Sequence, residues 1–172
     1  MLLFVTAALL FACQQKQPVR FTTSSAEIEA YKKGIAAYEA QDWDTWQGAF
    51  ADTAKVYYNT TESSTAEETK QGHLAMIETL SSYEFDKEKM FIEQVIDDDG
   101  KTWVNFWGLW KGTFKANGKT LEIPVHLSTQ FVNGKIVEEY GFWDMSSYVL
   151  EMQAIEAAAQ AAAEAQDTAS EE

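Results

Sequence analysis

The chain has 172 residues, one cysteine and a formal net charge of −14. This length suits one domain with a sizeable core, and a single cysteine excludes an intramolecular disulfide and any metal site built from several cysteines. The acidic balance, which no basic stripe offsets, argues against binding to nucleic acid or to an anionic membrane surface.

The first twelve residues form an uncharged, mostly apolar segment that ends directly before Cys13. The segment is too short to span a bilayer and fits the apolar region of a signal peptide. Leu10, Ala12 and Cys13 resemble the lipobox of bacterial lipoproteins. That resemblance implies cleavage before Cys13, lipidation of its thiol, and an exported protein anchored to a bacterial membrane, periplasmic or at the cell surface. The alternative is a buried N-terminal helix with an incidental cysteine.

Two further segments flank the predicted domain, which covers residues 25–150. Residues 13–24 are mostly polar and contain Pro18, so they are predicted to be a tether. Residues 151–172 are rich in Ala and Glu and lack Lys and Arg. They favour a helix to about residue 166, with almost no apolar face to bury. We interpret this acidic tail as a frayed, solvated helix in preference to a partner-binding one.

Three helices are predicted in the first half of the domain from their starting residues. Ser24 and Glu27 have the spacing of a capping box and precede apolar residues at helical spacing. Asp42 can cap a second, short helix. Thr65 and Glu68 form a second capping box, which opens the third helix.

The second half of the domain is predicted to be a meander of strands. Shorter strands are expected over Lys55–Asn59 and Met90–Ile96. Two Asn-Gly pairs, which favour type I′ hairpin turns because both central residues need a positive φ, divide the rest. The three long strands that result are Thr102–Phe114, Thr120–Val132 and Lys135–Asp144. Helices followed by a meander predict an α+β domain, with N-terminal helices packed on a curved antiparallel sheet that encloses a cone-shaped cavity.

This order of elements resembles the NTF2-like superfamily of cone-shaped domains, and within it the SnoaL-like branch. The local sequences that carry the resemblance lie at residues 40–54 and 131–144, and the likeness covers about residues 25–150. It implies the fold and says little about chemistry, because the superfamily includes isomerases, cyclases, dehydratases, transport factors and binding modules.

Ketosteroid isomerases are similar over the same segments and use an Asp base with a Tyr and a neutral Asp as oxyanion donors. The resemblance puts the base position on Tyr58 and the other two positions near Gly34 and Leu127. None of these residues has the required side chain, so isomerase activity of that kind is not expected. Trp143 matches a pocket-lining aromatic residue of that family, which supports a cavity.

Two carboxylates on the last strand are the candidate catalytic residues, Glu139 and Asp144. Strand alternation puts Glu139 on one face with Trp143, and Asp144 on the other face with Glu138, and it does not decide which face points inward. The SnoaL-like resemblance places an acidic residue near the Asp144 position at the pocket. A lone carboxylate in an apolar cavity would have a raised pKa and could act as an acid or a base. The alternative is that Asp144 caps the end of the strand.

Aromatic residues form the second set of candidates. The predicted ligand pocket consists of Trp43, Trp46, Tyr58, His73, Trp107 and Trp143. His73 lies in the apolar stripe of its helix, where a core histidine is also plausible, and His126 is expected on the polar face of its strand. The strand Thr102–Phe114 is apolar on both faces, which favours a homodimer through the sheet.

These patterns lead to one preferred hypothesis and two alternatives. The preferred one is a domain that binds a small apolar or aromatic ligand in its cone, with no cofactor and no metal. The first alternative is a cofactor-independent acid/base enzyme of the isomerase, cyclase or dehydratase type, with one pocket carboxylate. The second is a structural dimerisation module. Whether the protein is an enzyme stays open, with binding preferred.

Overall fold

The computed structural model describes residues 19–170, so the predicted signal peptide and Cys13 lie outside the described residues. Helices and shorter strands are interspersed in the first half, and three long strands and a final helix follow. A 3₁₀ turn at Lys87–Lys89 precedes β4. The elements are β1 (Phe21–Thr22), α1 (Ala26–Ala40), α2 (Trp43–Gly48), β2 (Phe50–Tyr58), α3 (Ala66–Glu78), β3 (Leu80–Phe85), β4 (Phe91–Ile96), β5 (Thr102–Phe114), β6 (Thr120–Val132), β7 (Lys135–Trp143) and α4 (Ser146–Ser170).

The seven strands of residues 19–170 form one sheet, in which six follow the order β1-β4-β5-β6-β7-β2 and the seventh, β3, pairs with β5 beside this path. The long strand β5 pairs with β4 along its first half and with β3 along its second half. All pairs are antiparallel except β2 with β7, which is parallel. The helices pack on one face of this curved sheet, so the predicted α+β cone of NTF2-like type is confirmed, with a mixed sheet.

The core lies between helix α1 and the concave face of the sheet. Helix α1 buries Ile28 and Tyr31, and strand β5 buries Val104, Phe106 and Phe114. Each of these side chains is at most 5% exposed. Burial of large aromatic and aliphatic groups at this level stabilises a domain by about 1.5–3 kcal/mol for each side chain.

The helix starts agree with the sequence except at the first. Ser25, not Ser24, caps α1, because its extended backbone lets its hydroxyl accept a hydrogen bond from the Ile28 amide at 3.1 Å. Asp42 caps α2 as predicted. The capping box of Thr65 is also confirmed, since both of its reciprocal hydrogen bonds are present.

The two Asn-Gly pairs behave differently. At Asn133 and Gly134 both φ angles are positive, 51° and 75°, as a type I′ turn requires. Between β5 and β6 the loop is five residues long, and only Gly118 has a positive φ. Its amide donates to the Phe114 carbonyl at 3.0 Å, which closes a wider hairpin than the sequence predicts.

The ends of the domain extend beyond the predicted bounds. Strand β1 lies inside the segment predicted as a tether, and it pairs with β4. At the other end, Met152 and Ile155 of α4 pack against the core. Glu151 is 6% exposed, and its carboxylate accepts from the Asn117 amide group at 2.7 Å and pairs with Lys119. The packed part of α4 therefore continues into the predicted tail.

None of the helices in residues 19–170 is long and apolar enough to cross a membrane.

Candidate ligand-binding cavity

A cavity of about 840 Å³ lies between the helices and the concave face of the sheet. Its walls come from α1, α2, β2, α3, β3, β5, β6, β7 and the start of α4. Most of the lining is apolar, including Ile35, Phe50, Val125 and Leu127. A volume of this size is in the range of pockets that hold small organic molecules, about 300–1,000 Å³.

The buried acid in this cavity is Glu139 on β7, whose residue is 3% exposed. One carboxylate oxygen accepts a hydrogen bond from the Tyr58 hydroxyl at 2.5 Å, and the other accepts one from the Thr129 hydroxyl at 2.6 Å. Thr129 is fully buried and is the direct cross-strand partner of Glu139 on β6. Two neutral donors from two neighbouring strands thus fix the carboxyl group in place.

A β-bulge decides that Glu139 points inward. Phe131 pairs with Ile136, but the next pair is Gln130 with Glu138, so Val137 is the extra residue on β7. Both Ile136 and Glu139 are buried in consequence, although simple alternation would put them on opposite faces.

Burial sets the protonation of the titratable groups around this carboxyl. It raises the pKa of Glu139, and the hydrogen bonds from Thr129 and Tyr58 offset this only in part. Burial and the neighbouring Glu139 raise the pKa of the Tyr58 and Tyr31 phenols well above their usual range. Burial therefore favours the protonated form of Glu139 more than in an exposed glutamate, and Tyr31 and Tyr58 keep their protons at neutral pH.

His73 of α3 also lines the cavity and is neutral. Burial lowers its pKa to about 4. Its ring lies edge-on to Tyr38 at 5.0 Å and to Trp46 at 5.6 Å, and near the Tyr58 ring at 5.9 Å. Within residues 19–170 neither imidazole nitrogen has a hydrogen-bond partner, so His73 contributes a polar edge without positive charge at neutral pH.

Gly141 lets two aromatic rings lie close to the strand that carries Glu139. A Cβ atom at Gly141 would meet Trp143 at 2.5 Å, Tyr58 at 2.6 Å and Leu127 at 2.8 Å, all below contact distance. The Trp143 ring thus lies over Gly141 and meets the Tyr58 ring edge-on at 4.9 Å.

The structure brings together most of the predicted pocket residues. Trp46, Tyr58, His73 and Trp143 line the cavity. Trp43 is not among the lining residues, and its ring stacks on the lining residue His73 with the ring centroids 6.3 Å apart.

Trp107 is not in the cavity, which corrects its assignment to the pocket. It lies on the convex face of β5, is 40% exposed, and stacks on His126 at 4.7 Å. The concave face of β5 carries Phe106 and Trp110 instead.

Asp144 also lies outside the cavity, contrary to its assignment as a candidate catalytic residue. It is exposed, and its carboxylate accepts from the Ser146 amide at 2.8 Å at the start of α4. This hydrogen bond lowers the pKa of Asp144. The alternative interpretation, that Asp144 caps the end of the strand β7, accounts for its position.

Thr129 and Tyr31 are site residues that the sequence reasoning did not identify. Thr129 is a polar residue at an inward-facing position of β6, and a polar residue among the apolar residues of that face is a sequence signal that could have identified it. In the part of the chain described, no group of three or more His, Cys, Asp or Glu residues is placed to hold a metal ion.

The fold and its cavity define the class of protein, a cone-shaped α+β domain of NTF2-like architecture. The model of the SnoaL-like domain family matches residues 31–139. The chain therefore belongs to the SnoaL-like domain family. Comparison with curated protein sequences gives no match.

Solved structures with the same fold share little sequence with this chain. A proposed polyketide cyclase from Xanthomonas campestris pv. campestris aligns with a TM-score of 0.61 and 13% identity, over 75% of this chain and 98% of its own. A proposed SnoaL-like polyketide cyclase from Jannaschia sp. CCS1 aligns with a TM-score of 0.58 and 14% identity, over 79% and 94%. AclR, a proposed hydroxylase from Streptomyces galilaeus, aligns with a TM-score of 0.60 and 11% identity, over 74% and 95%. At these identities the likeness shows the fold alone.

Proposed function

We propose that this domain binds a small, mostly apolar or aromatic ligand in its cavity, without a cofactor. The observation that carries the proposal is a cavity of about 840 Å³ with mainly apolar walls and one buried carboxyl group to orient a ligand. Apolar walls supply affinity, and a few fixed polar groups supply orientation. Glu139 and the imidazole of His73 are those polar groups.

A pair of tryptophan substitutions tests this proposal. Val125→Trp places a large side chain at a lining position of β6, whereas Val132→Trp places the same side chain at an exposed position of the same strand. Titration of the purified protein with tert-butylbenzene, followed by tryptophan fluorescence, is expected to show one site in the wild type and in Val132→Trp. The site is expected to be lost in Val125→Trp, whose fold circular dichroism would verify. Equal binding by both variants would place the ligand elsewhere.

A second candidate function is acid/base catalysis by Glu139. The raised pKa of this carboxyl favours it, because an acid that titrates closer to neutral pH can both give and take a proton. Deuterium exchange next to the carbonyl of small ketones in D₂O, observed by NMR, would detect such chemistry without knowledge of the substrate. Catalysis predicts exchange by the wild type that Glu139→Gln loses. The absence of exchange with every carbonyl compound would refute this candidate.

We also propose that two copies pair through the convex face of the sheet. One cross-strand row there, Phe91, Trp107, His126 and Phe142, runs over four strands, and its two phenylalanines and its tryptophan are 40–54% exposed. Exposed apolar patches of this kind mark interfaces. Sedimentation velocity at micromolar concentration is expected to show a dimer that Trp107→Glu disrupts. A wild-type monomer would contradict this proposal and the structural-module alternative.

Export and lipid anchoring at Cys13 remain a proposal based on the lipobox resemblance. Cells that express the full chain and are fed an alkyne-tagged fatty acid are expected to label it, with the label in the membrane fraction. Cys13→Ser should abolish labelling. Labelling that persists in this variant would rule out the assignment.

A further inference from the structure

The cavity has an unequal distribution of charge. Two glutamates line it, Glu139 in the interior and Glu68 of the α3 capping box. No Lys or Arg of residues 19–170 lines it. His73 is neutral at neutral pH because burial lowers its pKa to about 4. An anionic ligand would therefore find no counter-charge in this cavity and would meet a carboxyl group.

Within residues 19–170, Glu139 also has no cationic partner. The ion pairs found in residues 19–170 use other carboxylates. Its two hydrogen bonds come from neutral hydroxyl groups, those of Tyr58 and Thr129. A buried carboxylate without an opposite charge is costly, and a cation placed next to it favours the ionised form.

Several aromatic rings line the cavity that holds this carboxyl. Tyr58 donates to Glu139 through its hydroxyl, and its ring meets the Trp143 ring at 4.9 Å. The Trp143 ring lies over Gly141, two residues after Glu139 on β7, and Tyr31 and Trp46 also line the cavity. The faces of such rings attract organic cations, and sites that recognise quaternary ammonium groups combine several of them.

From this arrangement we propose that the cavity selects organic cations, with the ammonium group of the ligand against Glu139, Tyr58 and Trp143 and its apolar body along Ile35, Val125 and Leu127. This inference rests on the proposed function and names its ligand class. The apolar body is needed because the cavity, at about 840 Å³, is far larger than an ammonium head group.

If the cation binds next to Glu139, its affinity should increase with pH. A bound cation favours ionised Glu139, so affinity for a permanent cation should rise with pH through the pKa of this group and then level off. The other titratable groups that face Glu139 are Tyr31 of α1, Tyr58 of β2 and, across the cavity, His73 of α3. The tyrosines keep their protons throughout, and His73 is already neutral above about pH 4. Glu68 is ionised over the same range because its capping hydrogen bonds lower its pKa.

Phenyltrimethylammonium and tert-butylbenzene are a matched pair of probes, since they have the same shape and differ by one positive charge. Titrations of the purified protein by tryptophan fluorescence at about pH 8 should give a dissociation constant for the cation at least about tenfold lower, which corresponds to 1.4 kcal/mol. The preference should shrink as the pH falls toward 4.5, the ordinary value for a glutamic acid.

Two variants of one strand identify the group that is responsible. Glu139→Gln should abolish the preference for the cation and retain the neutral probe, which also shows that the cavity is folded. Glu138→Gln removes the same charge from the opposite face of β7 and should keep the preference. Equal affinity of the wild type for both probes, or an unchanged preference in Glu139→Gln, overturns the inference and leaves the proposed function standing. Binding of neither probe counts against the proposed function itself.

Discussion

The hydrogen bond from Thr129 to Glu139 offers a quantitative test of the buried carboxyl site. Thr129→Val keeps the shape of the side chain and replaces the donor hydroxyl by a methyl group at a fully buried position. A hydrogen bond to a charged group contributes about 1.5–3 kcal/mol, and the added methyl group recovers about 0.8 kcal/mol by burial. The free energy of unfolding should therefore fall by roughly 1–2 kcal/mol where Glu139 is ionised.

A double-mutant cycle separates this interaction from other effects of the substitution. In the Glu139→Gln background the lost hydrogen bond is neutral and contributes about 1 kcal/mol, which the methyl group nearly balances. Urea unfolding of the four proteins at about pH 8 should therefore give a coupling energy of about 1 kcal/mol or more. If Thr129→Val costs the same in both backgrounds, the hydroxyl does not stabilise a carboxylate and the described site is wrong.

Three further predictions follow from single positions. Gly141→Ala should lower the free energy of unfolding by about 1–3 kcal/mol, because the added Cβ overpacks against three side chains. Gly34→Ala in helix α1, where an added Cβ meets nothing within 4 Å, should raise it by up to about 1 kcal/mol. Equal shifts of the melting temperature in the two variants would contradict the close packing at Gly141. Because burial raises the pKa of Glu139, the wild type should lose stability relative to Glu139→Gln as the pH rises from 4.5 through that raised pKa, and a constant difference in urea unfolding would refute it. Glu151→Gln should weaken the pairing with Lys119 and speed amide exchange in the first turns of α4 but not in β5, and uniform exchange would argue against this local attachment.

The long strands could be predicted closely because their signals are local. β5 and β6 have the predicted bounds, and β7 ends one residue early, at Trp143. Alternation and the Asn133-Gly134 turn fix these bounds without knowledge of the rest of the chain. Strand β3 was missed, since its polar sequence over Leu80–Phe85 alternates weakly and it forms through pairing with β5.

The aromatic residues of β5 do not indicate which of its faces lines the cavity, because both faces carry them. Two glycines supply the missing signal. A Cβ at Gly108 would meet Phe106 at 2.3 Å, and one at Gly112 would meet Trp110 at 2.2 Å. Glycines that share a face with large rings therefore mark the crowded concave side, and Trp107 lies on the other.

The orientation of Glu139 depends on the bulge at Val137, which has no clear sequence signal. Without the bulge, the register set by the turn would bring Glu138 opposite Thr129 in place of Glu139. The choice between the two carboxylates was therefore a question of tertiary pairing that alternation could not answer.

A crystal structure of the purified protein grown with tert-butylbenzene tests most directly whether the cavity is a binding site. The account predicts density for the probe between Ile35, Val125 and Trp143, with the Glu139 carboxyl held by Tyr58 beside it. A cavity filled by rearranged side chains, or a probe bound only on the convex face of the sheet, would contradict it.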